Sequence, residues 1–194
     1  DFPAIYFLGG GDCQKLLDVT QWGDIAWTSM EFAFAGCSNL NISATDLPDL
    51  SGVMSMAYMF HACAILNSPA NIGNWDTENV IDMNSLFLTA EVFNQPIGSW
   101  NTDNVTNMSY MFSTTAFNQP IGNWNTANVT DMSYMFSATT AFNQPIGSWN
   151  TANVINMSSM FNAATAFNQP IGTWDTGRVS DMNEMFSLTG AFNQ

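Results

Sequence analysis

Basic residues are nearly missing from this chain. Lys15 and Arg178 stand against sixteen acidic residues, giving a formal net charge of -14 over 194 residues. Displacing counterions from a phosphate backbone takes Lys and Arg, which argues against nucleic acid as a partner. An anionic membrane surface repels such a chain for the same reason. Histidine occurs once, at His61, and cysteine three times, at Cys13, Cys37 and Cys63. Three is too few, and an odd number, for a disulfide framework. No GxSxG, HExxH or P-loop pattern occurs. No run approaches the roughly 20 apolar residues that span a bilayer, and no basic stretch leads into an apolar one as in a signal peptide. The chain opens at Asp1 without Met, as expected of a processed or excised piece.

What is there is apolar and periodic. Hydrophobic residues make up 46% of the chain and aromatics 13%, enough for a dense core and too much for disorder. Only 9% of residues are charged, so Asn, Ser, Thr and Gln must supply most of the surface. One phrase, FNQPIGSWNTANVINMSSMF at residues 142–161, recurs with small edits. Phe93, Phe117, Phe142, Phe167 and Phe192 open copies. Trp75, Trp100, Trp124, Trp149 and Trp174 share one slot, and Met83, Met108, Met132, Met157 and Met182 another. Phe87, Phe112, Phe136, Phe161 and Phe186 close the same segments. A fixed period of this size marks stacked units, each too small to bury its own apolar face.

Residues 1–20 carry the repeat poorly and are expected to form an N-terminal cap, with the array over 21–194. Within it, 21–70 holds degenerate copies and 71–194 regular ones. MEFAF and MAYMF align with the later MSYMF, and F-x-x-C-x-x-L after them has a leucine-rich-repeat-like spacing. The closing AFNQ opens another copy, which suggests an array cut off at that end. In the regular copies Val129, Met132, Met135 and Phe136 fall on one face of a short helix, with Thr126 or Asn128 as its N-cap. FNQPIGSW reads as extended, with Pro145 at a strand margin and Gly147 at a bend or close approach. The expected fold is an α/β solenoid, a leucine-rich-repeat-like stack of 24–27-residue rungs. A parallel sheet of short strands forms one side and short helical turns the other.

The segment VTQWGDIAWTSMEFAFAGCSNLNISATDLPDLSGV, followed by copies of FNQPIGNWNTANVTDMSYMF, resembles the BspA-like leucine-rich-repeat surface proteins. The likeness runs from about residue 19 to the end. It implies a secreted or surface-anchored repeat protein used for adhesion or protein binding, with no catalytic residues to carry over. The early copies depart from it by lacking the Trp and FNQP positions.

Each repeated column has a chemical reading and a plainer one. The MxxM pairs suit Cu(I), but Val and Phe share their face, so a buried core ladder is expected. The tryptophans suit a sugar-stacking platform, yet five equal spacings also define five core slots. Two Asp/Asn columns suit Ca²⁺, although stacked side chains that satisfy turns explain them better. These are Asp82, Asn107, Asp131, Asn156, Asp181 and Asp76, Asn101, Asn125, Asn150, Asp175. His61 with Cys63 makes neither a zinc site nor a supported nucleophile pair. The cysteines read as small core fillers, with an inter-rung disulfide left open. The N-x-[ST] matches come from the repeat itself.

No metal, cofactor or catalysis is expected. The function read from the sequence is an extracellular or cell-surface binding or adhesion module that takes a protein or glycan. Its contact residues are expected at Gln95, Ser99, Gln119, Asn123, Gln144, Ser148, Gln169 and Thr173. The alternative is a structural scaffold or assembly subunit packed against neighbouring proteins.

Overall fold

A computed structural model describes residues 3–194. Regular secondary structure is scarce. One parallel pair joins β1 (Asp18–Val19) to β2 (Asn41–Ile42), and short 3₁₀ turns lie at Cys13–Lys15 and Ile72–Asn74. The order of the molecule lies between copies. Parallel bridges run Ser55 to Asp82 to Asn107 to Asp131 to Asn156 to Asp181, one per copy. Each copy thus lies in register against the next.

The segment expected to be helical is the one that carries the cross-copy bonds. Met132, Tyr134, Phe136 and Ala138 donate their N–H groups to the carbonyls of Asn156, Ser158, Met160 and Asn162 in the following copy. The intervening Met135, Ser137 and Thr139 donate to Met132, Tyr134 and Phe136 three residues back. The run is therefore a series of tight turns whose alternate N–H groups reach forward. Every N–H from Met132 to Thr139 but one is accounted for by these two patterns, Ser133 donating instead to the Asp131 carboxylate. Tyr134 (φ 56) and Ala138 (φ 55) take left-handed backbone, as do their equivalents in the other copies. Such a residue breaks an α-helix and costs on the order of 1 kcal/mol. The bonds on both sides of it hold the conformation. No α-helix occurs among the described residues. Thr126, expected as an N-cap, instead donates its hydroxyl to the Asn150 carbonyl (2.9 Å).

FNQPIGSW, expected as the sheet, has no backbone ladder. Close packing and side chains hold it instead. A Cβ on Gly147 would sit 2.7 Å from the Pro170 carbonyl oxygen, and one on Gly122 the same distance from that of Pro145. Glycine is required because the next copy's backbone fills the space. The bend or close approach expected at Gly147 is both, since the Trp149 N–H closes a turn there on the Ile146 carbonyl (3.2 Å).

The core runs the length of the stack. Phe34, Phe60, Phe87, Phe112, Phe136, Phe161 and Phe186 form one column with ring centres 5.6–5.9 Å apart. The FNQP phenylalanines form a second column against it, Phe136 and Phe142 lying 3.9 Å apart. The copy with one residue fewer keeps the same contact, Phe112 to Phe117 at 4.0 Å. There the Thr115 hydroxyl donates to the Phe112 carbonyl (2.7 Å), where other copies use a backbone N–H. The loop absorbs the deletion.

The Trp, Met and Phe columns expected in the core are buried through Phe161, but the last copy departs. Trp174 and Phe186 are only partly buried and Met182 is 40% exposed. At the other end residues 9–19 pair with 35–44 much as later copies pair, through the Gly9 N–H to the Ala35 carbonyl (2.9 Å) and the β1–β2 register. The three cysteines are buried and free.

Candidate binding surface

The FNQPIG-x-W side carries the residues expected to contact a ligand. The amide of Gln119 donates to the carbonyl and side-chain oxygen of Asn94 (3.0 and 3.1 Å), and that of Gln144 to Asn118 likewise (3.0 and 2.9 Å). Gln95 binds both oxygens of Asn67 in the same way, and Gln169 binds the side-chain oxygen of Asn143 (2.9 Å). Each Asn oxygen also accepts the backbone N–H of the next Asn, as Asn94 does from Asn118 (2.9 Å). The amides of Gln95, Gln119, Gln144 and Gln169 are thus tied inward as a ladder, and these side chains are half-buried. A buried polar ladder needs every member paired, which is why Asn and Gln recur together.

The position between Gly and Trp is different. Ser99, Asn123, Ser148 and Thr173 are all exposed. Three of them donate to a glycine carbonyl one copy back: Ser99 to Gly73 (2.5 Å), Ser148 to Gly122 (2.8 Å) and Thr173 to Gly147 (2.7 Å). Asn123 makes no such bond and is exposed. It is the open member of the set.

The Asp/Asn columns serve the turns. Asp82, Asn107, Asp131, Asn156 and Asp181 each accept the N–H two residues on, at 2.8–3.0 Å. Asp76, Asn101, Asn125, Asn150 and Asp175 do the same. Either residue type supplies the acceptor, so carboxylate and amide interchange freely. On the turn side a second aromatic column half emerges, with Phe32 on Tyr58 (4.7 Å) and Tyr110 on Tyr134 (4.4 Å). Burial, then the neighbouring Tyr134, pushes the Tyr110 hydroxyl up. His61 packs edge-on to Tyr58 and its Nδ1 meets the Leu88 carbonyl (3.2 Å). Cys63 donates to the Phe34 carbonyl (3.2 Å). Burial raises the Cys37 thiol to about 12 and moves Cys63 upward too, so neither is a thiolate at neutral pH.

Sequence reasoning missed the inward turn of the glutamines. The signal was present: Asn and Gln are invariant within FNQP here, as a ladder demands, whereas the exposed position varies.

Such a molecule is a repeat protein in which each copy satisfies its neighbour's backbone and side-chain donors. The model of a family described as Mycoplasma protein of unknown function, DUF285, matches residues 28–127 and again 113–194. The chain belongs to that family. No curated protein and no solved structure matches it. Among the described residues no helix is long and apolar enough to cross a membrane.

Proposed function

We propose that this chain is a solenoid of the BspA-like leucine-rich-repeat kind, acting without catalysis as an extracellular or cell-surface binding module. Its partner is a protein or glycan. Membership of the DUF285 family and the copy-to-copy register support the reading. The observation that carries it is the column Ser99, Asn123, Ser148, Thr173: exposed and varied, on a phrase otherwise fixed. A stiff ladder with one variable outward position per coil presents a surface at low ordering cost. Neutral hydroxyls and amides on an acidic background suit a polar, uncharged epitope better than an anionic one.

The test begins with the purified chain on glycan and protein arrays. Replacing Gln119, Asn123, Gln144 and Ser148 together is expected to weaken any hit at least about tenfold, with Asn123→Ala supplying most of the loss. Unchanged affinity in a variant of unchanged thermal stability overturns the assignment of this face. A second reading, a subunit packed against neighbours, is favoured by Met54, Ile81 and Ile155, exposed apolar residues that share one slot of their copies. Light scattering separates the two: a monomer at high concentration argues against self-assembly.

A further inference from the structure

A second line of exposed side chains runs along the stack, on the segment that leads into each copy's first Met. Ile81, Thr106, Thr130, Ile155 and Ser180 each donate a backbone N–H to the carbonyl of the equivalent residue one copy back, beginning with Met54, at 2.8–2.9 Å. Equivalents bonded in this way stand about 4.8 Å apart, so the six positions from Met54 to Ser180 extend over about 24 Å. Met54, Ile81 and Ile155 are 63%, 39% and 44% exposed. Between them the Thr106 and Thr130 hydroxyls turn back onto the Ile81 and Thr106 carbonyls (3.4 and 3.1 Å). The line therefore offers apolar surface rather than free hydroxyls. Scattered singly, such residues need no explanation; in one line they mark a contact surface.

Charge decides what covers it. From Asp49 onward the chain has ten acidic residues, and eight of them lie within seven residues ahead of a copy's first Met. The FNQPIG-x-W phrase carries none in any copy. Carboxylates thus border the apolar line on both sides along the chain. Asp82 and Asp131 follow it directly, while Glu78 and Asp103, both exposed, precede it by three residues. Asn79, Asn104 and Asn128, which lie between, are tied to carbonyls one copy back (2.7–3.1 Å), so that border is held in place. Among the described residues the chain's two basic side chains are engaged elsewhere, Lys15 with Asp12 (2.8 Å) and Arg178 with the Asn153 amide oxygen (2.9 Å). A second copy would bring its own excess of acid, the formal net charge being -14, and like charges set together across an interface repel. A cationic partner meets no such barrier.

We propose that this face docks an amphipathic basic helix of a partner protein. The helix lays its apolar stripe along the line from Met54 to Ile155, and its Lys and Arg residues reach the carboxylates on either side. A line of about 24 Å matches a helix of about 16 residues at 1.5 Å rise, and an apolar stripe bordered by cations complements what the face presents. This deepens the second reading above by naming the neighbour's chemistry. It does not depend on the column at Ser99, Asn123, Ser148 and Thr173, and either stands if the other fails.

The probe is a Leu/Lys peptide of that length with its leucines at helical spacing, dye-labelled and titrated with the purified chain by fluorescence anisotropy. Two counterparts carry Gln or Glu in place of every Lys. The Lys peptide is expected to bind saturably, at least about tenfold more tightly than the Gln peptide, and to weaken as salt is raised. The Glu peptide is expected not to bind. Ile81→Ser with Ile155→Ser should weaken the Lys peptide about tenfold. Glu78→Gln with Asp103→Asn should weaken it too and flatten the salt dependence, while Val92→Ser, at an exposed position off this face, should leave it unchanged. All five positions are exposed, and an unchanged melting curve checks that each variant is folded. The proposal is overturned by any of three results: no saturable binding of the Lys peptide, equal binding of the Gln peptide, or Lys-peptide affinity untouched in the Ile81, Ile155 double variant. Equal binding of the Gln peptide that the double variant abolishes overturns the basic partner and leaves the second reading standing.

Discussion

The first 70 residues and the rest solve the same packing problem in different ways. From Phe87 onward every aromatic contact is near-parallel, with interplanar angles between 3° and 27°. Around Trp22 the rings meet edge to face, at 71° to Phe34 and 89° to Trp27 and Trp75. Where neighbouring copies are alike, one local arrangement propagates: the acceptor each indole needs is supplied by the copy behind it. Where copies differ, each large side chain must find its own partner, and the indoles of Trp22, Trp27 and Trp75 do not. Repetition here is a device for satisfying polar groups as much as for filling a core.

The largest test of that contrast is in the phenylalanine column. Phe136 touches Phe112, Phe142, Trp149 and Phe161, so Phe136→Ala should cost about 3–5 kcal/mol in denaturant unfolding. Phe34→Ala, beside a cavity that already exists against Ile5, Phe7 and Leu16, should fall at the lower end of that range. Equal losses would mean the two regions are packed alike. A finer comparison uses one substitution twice. Trp124→Phe removes one of the two hydrogen bonds to the Ile97 carbonyl, which keeps the Trp100 N–H, whereas Trp75→Phe deletes a buried donor that had no partner. Trp124→Phe should therefore be the more destabilising by about 1–2 kcal/mol. The smallest effect concerns acid. The N–H of Gly23, then that of Trp22, holds the Asp46 carboxyl below its usual range. A lowered folded value means the stabilisation is present above the ordinary carboxylate range and is lost as pH falls through the folded value. Below about pH 4 the Trp22 indole N–H signal of the ¹⁵N-labelled chain should shift while that of Trp124 stays, and Asp46→Asn should remove the difference.

Much of this was legible in the letters. The period, the three apolar columns and the use of Asp and Asn to satisfy turns all follow from what repeats. The helix did not survive, because Val129, Met132, Met135 and Phe136 point inward from consecutive turns at nearly the spacing a helix would give. The left-handed residue that distinguishes the two is Tyr134, a residue type that carries no turn signal. The reading of FNQPIGSW as a sheet strand missed its bonding, which runs mainly between side chains of one copy and the backbone of the next, and the turn that closes it at Gly147 and Ser148. Of the candidate contact residues, Ser99, Asn123, Ser148 and Thr173 lie outside as expected. The four glutamines are engaged, since a polar residue conserved along a stack has a neighbour like itself to bond. The unpaired indoles were invisible, because they depend on what the preceding copy lacks.

The forward-reaching N–H groups give the molecule a sense of direction. In the last copy the N–H groups of Met182, Glu184, Phe186 and Leu188 occupy the slots that reach forward elsewhere, and none meets an acceptor. Two such faces brought together about a twofold axis would set donor against donor. The direction belongs to every junction between copies: each lends alternate N–H groups to the carbonyls of the one after it, so successive coils can be joined in one running sense and not reversed.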